Sequence, residues 1–504
     1  MSLRLRTSQI KNEITALASK PWMQYVWLAV ITLFAAALRF YKLGEWSFWI
    51  DEIYTINHAM AHFSTPQLTL DHIPPARNWI PISVILSAQV FNVWMVSEFN
   101  ARLVAAIFGI ITIPALYFPI KNIFNTRVAL ITVLLLAVSS WHLEWSQNAR
   151  GYTSLLLFSW LAVFTFYFGL EKDRASYFVW FFIFLYLAAS ERLIALFILP
   201  ALVLYLLAVK FLPMEKPIGL RARNIYILLT PVLLFGIYEI YSLIRNDESV
   251  IGAILAEIVS TFFGKPIESP FTQTIFQVFK LGVPLFALSL LSGIYIWRQR
   301  TRAGWLFVLN AVVPFFLVIF VTPFMFTEER YALVSLPAWL ALAAIGIDKL
   351  LVRVKNYEPI LAFGLLLVLL ADSLGASLLY YRVNHGNRWD YQSAFAIVQA
   401  NLQEGDRVVS TFSEMGNYYL KRDDVVRWDD INKETIESSG RRVWFVIIPD
   451  MTWYTGTEDF YWWVSHYTRL IRTLYIRTVD NTNLEIYLYD PAASPQLERL
   501  KDPD

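Results

Sequence analysis

Two adjacent carboxylates, Asp51 and Glu52, follow the first membrane-length apolar stretch of the chain and lie among the aromatic residues Trp46, Trp49 and Tyr54. Acidic side chains at a lipid boundary cost desolvation free energy, so their presence there needs a reason. A carboxylate in such a place can take a proton from an attacking hydroxyl group. The pair therefore indicates chemistry on a lipid-linked substrate that is presented at the membrane surface.

Basic residues form a second set of candidates. They stand at or near the ends of apolar stretches, on the side of the membrane predicted to carry the acidic pair: Arg39, Lys42, Arg150, Arg192 and Arg330. A cation at that depth marks a functional site, and arginine can bind a phosphate through two parallel hydrogen bonds. The alternative interpretation is local pairing, of Arg150 with Glu144, Arg192 with Glu191, and Arg330 with Glu328 or Glu329.

The composition predicts the elements that hold these residues. Of 504 residues, 57% are hydrophobic and 16% are charged, which excludes an ordinary soluble protein and indicates many membrane spans. The chain has no cysteine, so a disulfide framework, a thiolate nucleophile and thiolate metal ligands are excluded. The net charge of +2 gives no indication of a nucleic-acid partner. We expect no cleavable signal, since the basic N-terminus leads into a full-length apolar stretch.

Apolar stretches of membrane length predict about eleven spans. They cover residues 22–42, 102–120, 128–145, 153–170, 176–190, 193–209, 225–243, 275–297, 304–322, 331–348 and 358–381. Residues 78–97 could be a twelfth span or a helix lying flat in the interface. The flat interpretation places every short basic loop on the side of the N-terminus, as the positive-inside rule requires. It predicts a multi-pass protein of the cytoplasmic membrane, with a cytoplasmic N-terminus and an extracytoplasmic C-terminal domain.

This topology divides the chain into two predicted parts, a membrane module over residues 1–381 and a tail over 382–504. The module has two large outer loops, 43–101 with interfacial helices and 244–274. The tail is more charged and carries period-2 apolar segments typical of strands at 407–410, 443–448 and 484–488. Helical segments near 390–403 and 457–471 separate them, so we expect a small α/β domain.

Several short motifs follow one another in a distinctive order: Arg39, Trp49-Ile50-Asp51-Glu52, His72-Ile73-Pro74-Pro75, Arg102-Leu103, Ser146-Gln147-Asn148-Ala149-Arg150-Gly151-Tyr152, and Glu329-Arg330-Tyr331 with Pro337. Their order and spacing resemble the C-superfamily (GT-C) glycosyltransferases over about residues 22–381. Within that superfamily the sequence is similar to family 39, which contains the protein O-mannosyltransferases and the aminoarabinose transferases. Aminoarabinose transferases carry a lysine before the Pro-Pro pair, where this chain has Ile73. Transfer of aminoarabinose is therefore not the favoured interpretation.

The resemblance implies a reaction and assigns the site residues. A sugar on a polyprenyl phosphate is transferred with inversion to a hydroxyl acceptor, which can be a protein, a lipid or a glycan, on the outer face of the membrane. Asp51 would be the general base, and Glu52 would orient acceptor or sugar hydroxyls. Contacts to the donor phosphate would come from Arg150, Arg330, Arg39 and His72, and the substrate cavity would be lined by Trp49, Tyr54, Trp46, Tyr152 and Tyr331. The reaction requires no cofactor, and a divalent cation is compatible with it but not demanded.

Three alternatives remain at this stage. His58, His62, His72 and His142, with Asp71 nearby, could hold zinc, although a role for these histidines in the membrane interface is the simpler interpretation. A transporter or flippase of lipid-linked sugars would share the outer cations, but it would need polar groups through the membrane midplane. A non-catalytic envelope assembly protein would use the tail to bind a glycan or a partner.

Overall fold

The computed structural model describes residues 20–63, 81–245, 249, 251–252, 269–324, 326–353, 358–475 and 483–492. Contacts within the chain define two compact units. Unit 1 comprises Met1–Tyr41, Ala105–Ser146 and Gly151–Gly375, and unit 2 comprises Lys42–Val104, Gln147–Arg150 and Ala376–Asp504. The acidic segment after the first span therefore belongs to the same unit as the tail, whereas composition alone placed it with the membrane module.

The chain is an α-helical polytopic membrane protein with a small C-terminal sheet domain, as predicted. Eight described helices are long and apolar enough to cross a membrane: Met23–Phe40, Glu98–Ile123, Tyr152–Lys172, Leu193–Phe211, Ala222–Arg245, Arg302–Val321, Glu329–Leu350 and Phe363–Arg382. Two bent pairs raise the number to ten if each pair is one span, namely Thr126–Val138 with Ser140–Ser146, and Pro270–Leu281 with Val283–Gln299. The shorter helix Ala175–Glu191 coincides with the remaining predicted span.

The two bent pairs break at different kinds of residue. The first pair turns by 59° around Ser139, the residue between its two helices. The second turns by 95° at Gly282, whose φ of +88° is a conformation that L side chains rarely adopt. A Cβ atom at Gly282 would also meet the carboxylate of Asp372. Glycine is therefore required at this break.

Unit 2 contains the acidic helix Ile50–Phe63 and a second short helix, Ile82–Val93. The second helix has 12 residues, hence a length of about 18 Å at 1.5 Å per residue. The hydrocarbon core of a bilayer is about 30 Å thick. This helix is therefore too short to cross a membrane.

The tail of unit 2 folds around one five-stranded sheet. Its strands are β1 (Arg407–Ser410), β2 (Val426–Arg427), β3 (Val443–Ile447), β4 (Arg469–Tyr475) and β5 (Asn483–Tyr489), in the order β2-β1-β3-β5-β4. β1 is parallel to β2 and β3, and β5 is antiparallel to β3 and β4. The helices are Tyr391–Asn401, Ser413–Leu420, Lys433–Ser439, Pro449–Thr455 and Glu458–Tyr467. The predicted helix 457–471 ends at Tyr467, and the chain then enters β4.

One apolar core joins the acidic helix to this sheet. Ile53, Ile56 and Met60 are buried at a spacing of three and four residues, which places them on one face of the helix Ile50–Phe63. The same cluster contains Val408 of β1 and Ile486 of β5, together with other buried residues of the tail. The tail therefore fixes the helix that carries Asp51 and Glu52.

Candidate active site

Asp51 and Glu52 lie in the first turn of the helix Ile50–Phe63, where the helix dipole stabilises negative charge. Consecutive residues of a helix point about 100° apart, so the two carboxylates enter different surroundings. The side chain of Glu52 is fully buried, whereas that of Asp51 is 21% exposed. Only the Asp51 carboxylate is therefore open to a substrate.

The Glu52 carboxylate accepts five hydrogen bonds from the protein. Oε1 accepts from Arg102 Nε at 2.9 Å and from the backbone N–H of Ala149 at 2.7 Å. Oε2 accepts from Arg102 Nη2 at 2.9 Å, the backbone N–H of Trp49 at 3.0 Å and Arg388 Nε at 3.2 Å. The bond from Trp49 is the return half of a capping box, in which the third helical residue reaches back to the N-cap. Glu52 thus ties together three separate stretches of unit 2.

Burial of Glu52 raises the pKa of its carboxyl, but the nearby charges and hydrogen bonds outweigh this effect. The guanidinium groups of Arg102 and Arg388 and the N–H of Ala149 lower the pKa to about 2. Glu52 is therefore an anion at neutral pH. Because it is inaccessible and surrounded by protein donors, this geometry gives no support to the predicted role of Glu52 in orienting substrate hydroxyls. Its contacts indicate a positioning role.

Arg102 is also fully buried, and all five of its N–H groups have acceptors. Besides the two bonds to Glu52, Nη1 donates to the carbonyls of Leu43 at 3.1 Å and Trp46 at 2.9 Å, and Nη2 donates to the carbonyl of Ser47 at 2.8 Å. Arg102 therefore holds the turn that leads from the first span into the acidic helix.

Arg150 forms an ion pair with Asp51 in which Nη2 lies 3.2 Å from Oδ2, and its side chain is 11% exposed. Its Nη1 also donates to the backbone carbonyl of Asp51 at 2.8 Å and to Thr55 Oγ1 at 3.1 Å. The structure thus places Arg150 against Asp51, while Glu144 pairs with Lys280 at 2.6 Å. The Arg150 guanidinium therefore fixes the position of the partly exposed Asp51 carboxylate.

The aromatic residues around the pair differ in accessibility. Trp46 is only 4% exposed and packs edge-on against His385 at 5.0 Å, so it belongs to the interior of unit 2. Trp49 is partly buried and Tyr54 is 39% exposed. Partial burial and the carboxylate of Glu414 raise the pKa of Tyr54 to about 12, so its hydroxyl keeps its proton at neutral pH. Trp49 and Tyr54 are the better candidates for contact with a substrate.

A second group of predicted residues lies together in unit 1. The Arg330 guanidinium is centred 5.6 Å from the ring of Trp145, 5.9 Å from that of Tyr152 and 5.8 Å from that of Tyr331, within the range of cation–π attraction. It also pairs with Glu328. The structure therefore brings Tyr152, Tyr331 and Arg330 together, and the predicted local pairing of Arg330 accompanies this aromatic packing.

Arg39 is fully buried in unit 1 at the break between the helices Thr126–Val138 and Ser140–Ser146. It donates to the carbonyls of Ala35 at 3.0 Å, Ala137 at 3.1 Å and Leu136 at 3.3 Å, to Ser146 Oγ at 3.2 Å, and to His142 Nδ1 at 2.6 Å. The last carbonyls of a helix have no hydrogen-bond donor within the helix, and Arg39 donates to them here. These contacts account for the buried guanidinium without a ligand, so the predicted phosphate contact of Arg39 gains no support from them.

Comparison with known proteins identifies the fold. The family model described as dolichyl-phosphate-mannose-protein mannosyltransferase matches residues 73–219. The crystal structure of ArnT from Cupriavidus metallidurans in the apo state is similar with a TM-score of 0.58 at 14% identity, covering 92% of this chain and 98% of that chain. The chain has the GT-C glycosyltransferase fold. The resemblance inferred from the motifs is thereby confirmed.

Two further GT-C structures show the same likeness. ArnT from Cupriavidus metallidurans bound to undecaprenyl phosphate matches with a TM-score of 0.57 at 13% identity, covering 93% of this chain and 98% of that chain. The Archaeoglobus fulgidus oligosaccharyltransferase tethered with an acceptor peptide matches with a TM-score of 0.56 at 11% identity, covering 96% of this chain and 78% of that chain. The search of curated protein sequences found no match to this chain.

The predicted site residue His72 and most of the predicted outer loop 244–274 lie outside the described residues. In the part of the chain that the structure describes, no group of three or more histidine, aspartate or glutamate residues is arranged to hold a metal ion. A reaction that does not require a metal stays a prediction.

The two arginines that bind Glu52, Arg102 and Arg388, were not among the predicted site residues. Arg102 could have been suspected, because it stands in one of the family-like motifs at the start of a span. Arg388 gives no such signal, since it lies in the charged tail among many exposed basic residues. Only the folded chain brings it to within 3.2 Å of Glu52.

Proposed function

We propose that this protein is an inverting glycosyltransferase that moves a sugar from a polyprenyl phosphate to a hydroxyl acceptor. The observation that carries the proposal is the contrast within the acidic pair. Glu52 is buried and saturated with hydrogen bonds, while its neighbour Asp51 is partly exposed and held by Arg150. A fixed, accessible carboxylate is what proton removal from a hydroxyl requires.

In this mechanism Asp51 accepts the proton of the acceptor hydroxyl as the oxygen attacks the anomeric carbon of the sugar. The bond between that carbon and the phosphate oxygen breaks in the same step, which inverts the configuration. Polyprenyl phosphate leaves with the bonding electron pair, and no general acid is needed because a phosphate is a stable anion. A cation near the leaving oxygen lowers the barrier, and Arg150, which lies beside Asp51, is the candidate.

The class of donor is supported by the relatives. The description of the matching family model names dolichyl-phosphate-mannose. An ArnT of the same fold has been crystallised with undecaprenyl phosphate. Both are polyprenyl phosphates or close analogues of them. The bias of basic residues towards the predicted inner loops supports transfer on the outer face of the cytoplasmic membrane. The acceptor is a hydroxyl of a protein, a lipid or a glycan.

The proposal is tested with the purified chain in lipid vesicles that contain polyprenyl phosphates carrying different labelled sugars. Extracts of envelope protein, lipid and glycan serve as acceptors. We expect release of one polyprenyl phosphate for each new glycosidic bond, with inversion of the anomeric configuration by NMR. Movement of the labelled lipid across the bilayer without a new bond would instead favour a transporter and would overturn the proposal.

A further inference from the structure

Arg388 lies in the tail just before the helix Tyr391–Asn401, and it is only 4% exposed. Its Nε donates to Glu52 Oε2 at 3.2 Å, and Nη2 donates to the backbone carbonyl of Gln147 at 2.8 Å. Its Nη1 donates to the carbonyl of Gly386 at 3.0 Å and lies 3.4 Å from Tyr380 Oη. One buried side chain of the tail therefore reaches both the acidic helix and the segment that precedes Arg150.

The segment Gln147–Arg150 is held at three of its four residues by groups of unit 2. The carbonyl of Gln147 accepts from Arg388, and the N–H of Ala149 donates to Glu52 at 2.7 Å. Arg150 itself binds the side chain and the carbonyl of Asp51. The contacts to Gln147 and Ala149 are made by Arg388 and Glu52, which also bind each other. The position of Arg150, the next residue, therefore depends on this buried pair.

Loss of Arg388 would leave the buried carbonyl of Gln147 without this donor and would remove one of two guanidinium groups from the buried Glu52. An unsatisfied buried polar group costs free energy, which the segment can recover by moving towards water. Movement of the segment shifts Arg150 relative to Asp51. A displacement of about 1 Å at reacting groups can lower a rate on the order of 100-fold.

We infer that Arg388 is a positioning residue, through which the C-terminal domain holds the Gln147–Arg150 segment and thereby the Asp51–Arg150 pair. The tail is then a structural part of the site that contains Asp51 and Arg150, and not a separate binding module. The catalytic part of this inference rests on the proposed function. Its structural part can be measured without any sugar or acceptor.

The structural test uses the absence of cysteine in the chain, since a single introduced thiol can be labelled without background. Ala149 is 6% exposed, so a thiol at position 149 is protected in the intact structure. The variant Ala149→Cys is combined with Arg388→Met, with Arg388→Lys, or with Arg441→Met as an exposed-arginine control in the same tail. The rate of reaction with a maleimide is measured in detergent at a temperature where all variants remain folded.

We expect Arg388→Met to raise the labelling rate at least 10-fold. Arg388→Lys should raise it less, because an ammonium keeps the charge but cannot reach several acceptors at once. Arg441→Met should leave it unchanged. In the cysteine-free background, Arg388→Met should lower kcat by about 10- to 100-fold with little change in KM for the donor, and Arg388→Lys should restore part of the loss.

An unchanged labelling rate in Arg388→Met would overturn the inference, whether or not the activity falls. A faster labelling rate with unchanged kcat would also overturn it, because the segment would then move without affecting the reaction. Failure of the proposed function is recognised separately. In that case the wild-type chain forms no glycosidic bond, while the labelling rates still report whether Arg388 holds the segment.

Discussion

Glu52 and Arg102 form a bidentate ion pair in which neither side chain is exposed: Arg102 Nε lies 2.9 Å from Oε1 and Nη2 lies 2.9 Å from Oε2. The residues are 50 positions apart in the chain. The pair locks the start of the acidic helix to the start of the following span. The neighbouring Asp51 is thereby fixed while its own carboxylate stays accessible.

Breaking this pair should strongly destabilise unit 2. Arg102→Met leaves Glu52 buried with a reduced set of donors and takes the donor from three backbone carbonyls, which should cost about 3–5 kcal/mol. Thermal unfolding in detergent, followed by tryptophan fluorescence, measures the effect. The control is Lys433→Met, which removes one partner of an exposed pair with Glu437 and should cost less than about 1 kcal/mol. Equal unfolding temperatures for the two variants would contradict this account of Arg102.

The contribution of Glu52 to the free energy of unfolding should decrease as the pH falls. Its pKa is lowered from the ordinary value of 4.5 to about 2, so the folded state binds fewer protons than the unfolded state between these values. The contribution is therefore fully present above about pH 5 and is lost as the pH falls towards 2. Unfolding temperatures measured from pH 7 to pH 3 should fall less steeply for Glu52→Gln than for the wild-type chain. Parallel curves would show that Glu52 does not titrate in this way.

Tyr419 should stabilise the entry to the acidic helix. Its hydroxyl accepts the backbone N–H of Phe48 at 2.8 Å and donates to Glu98 Oε1 at 2.9 Å. Tyr419→Phe should lower the unfolding free energy by about 1–3 kcal/mol, because it leaves polar partners unsatisfied. The matched control is Tyr418→Phe, since the adjacent Tyr418 contacts Phe48 through its ring at 5.1 Å. A larger loss in the control would refute the role of the Tyr419 hydroxyl.

Arg39 provides a test of structural capping against phosphate binding. A lysine keeps the positive charge but cannot donate to the carbonyls of Ala35, Leu136 and Ala137 and to Ser146 together. If Arg39 caps the helix break, Arg39→Lys should lower the unfolding temperature of the protein nearly as much as Arg39→Met. Affinity for polyprenyl phosphate should change little in the folded fraction of Arg39→Lys. A stable lysine variant with weakened lipid binding would restore the predicted phosphate contact.

Much of the fold follows from the sequence, because burial in lipid demands long apolar helices. Each of the predicted spans coincides with helical structure, although the bends near Ser139 and at Gly282 were not predicted. The strands β1, β3 and β5 were predicted because their apolar residues form regular runs. β4 was missed, since it is an edge strand with exposed residues and a register shift between Leu470 and Arg472.

The site was less predictable than the fold, because its contacts join residues that are far apart in the chain. The acidic pair could be recognised from its unusual place at a lipid boundary, but the sequence does not distinguish the buried Glu52 from the partly exposed Asp51. Arg388 is 336 positions from Glu52 and has no local signal. Arg39 was assigned to the donor phosphate from its place near the outer end of a span, and the sequence does not reveal the carbonyls of Leu136 and Ala137 to which it donates.

The most direct test of the central claim is the single-turnover rate of sugar transfer by Asp51→Asn. The amide cannot accept the proton but has nearly the same shape, so we expect the rate to fall by about 10²–10⁴-fold while the unfolding temperature and polyprenyl phosphate binding change little. Asp423→Asn, at an exposed aspartate of the tail, is the matched control and should transfer at the wild-type rate. Transfer by Asp51→Asn within a few-fold of the wild-type rate would contradict the assignment of Asp51 as the general base.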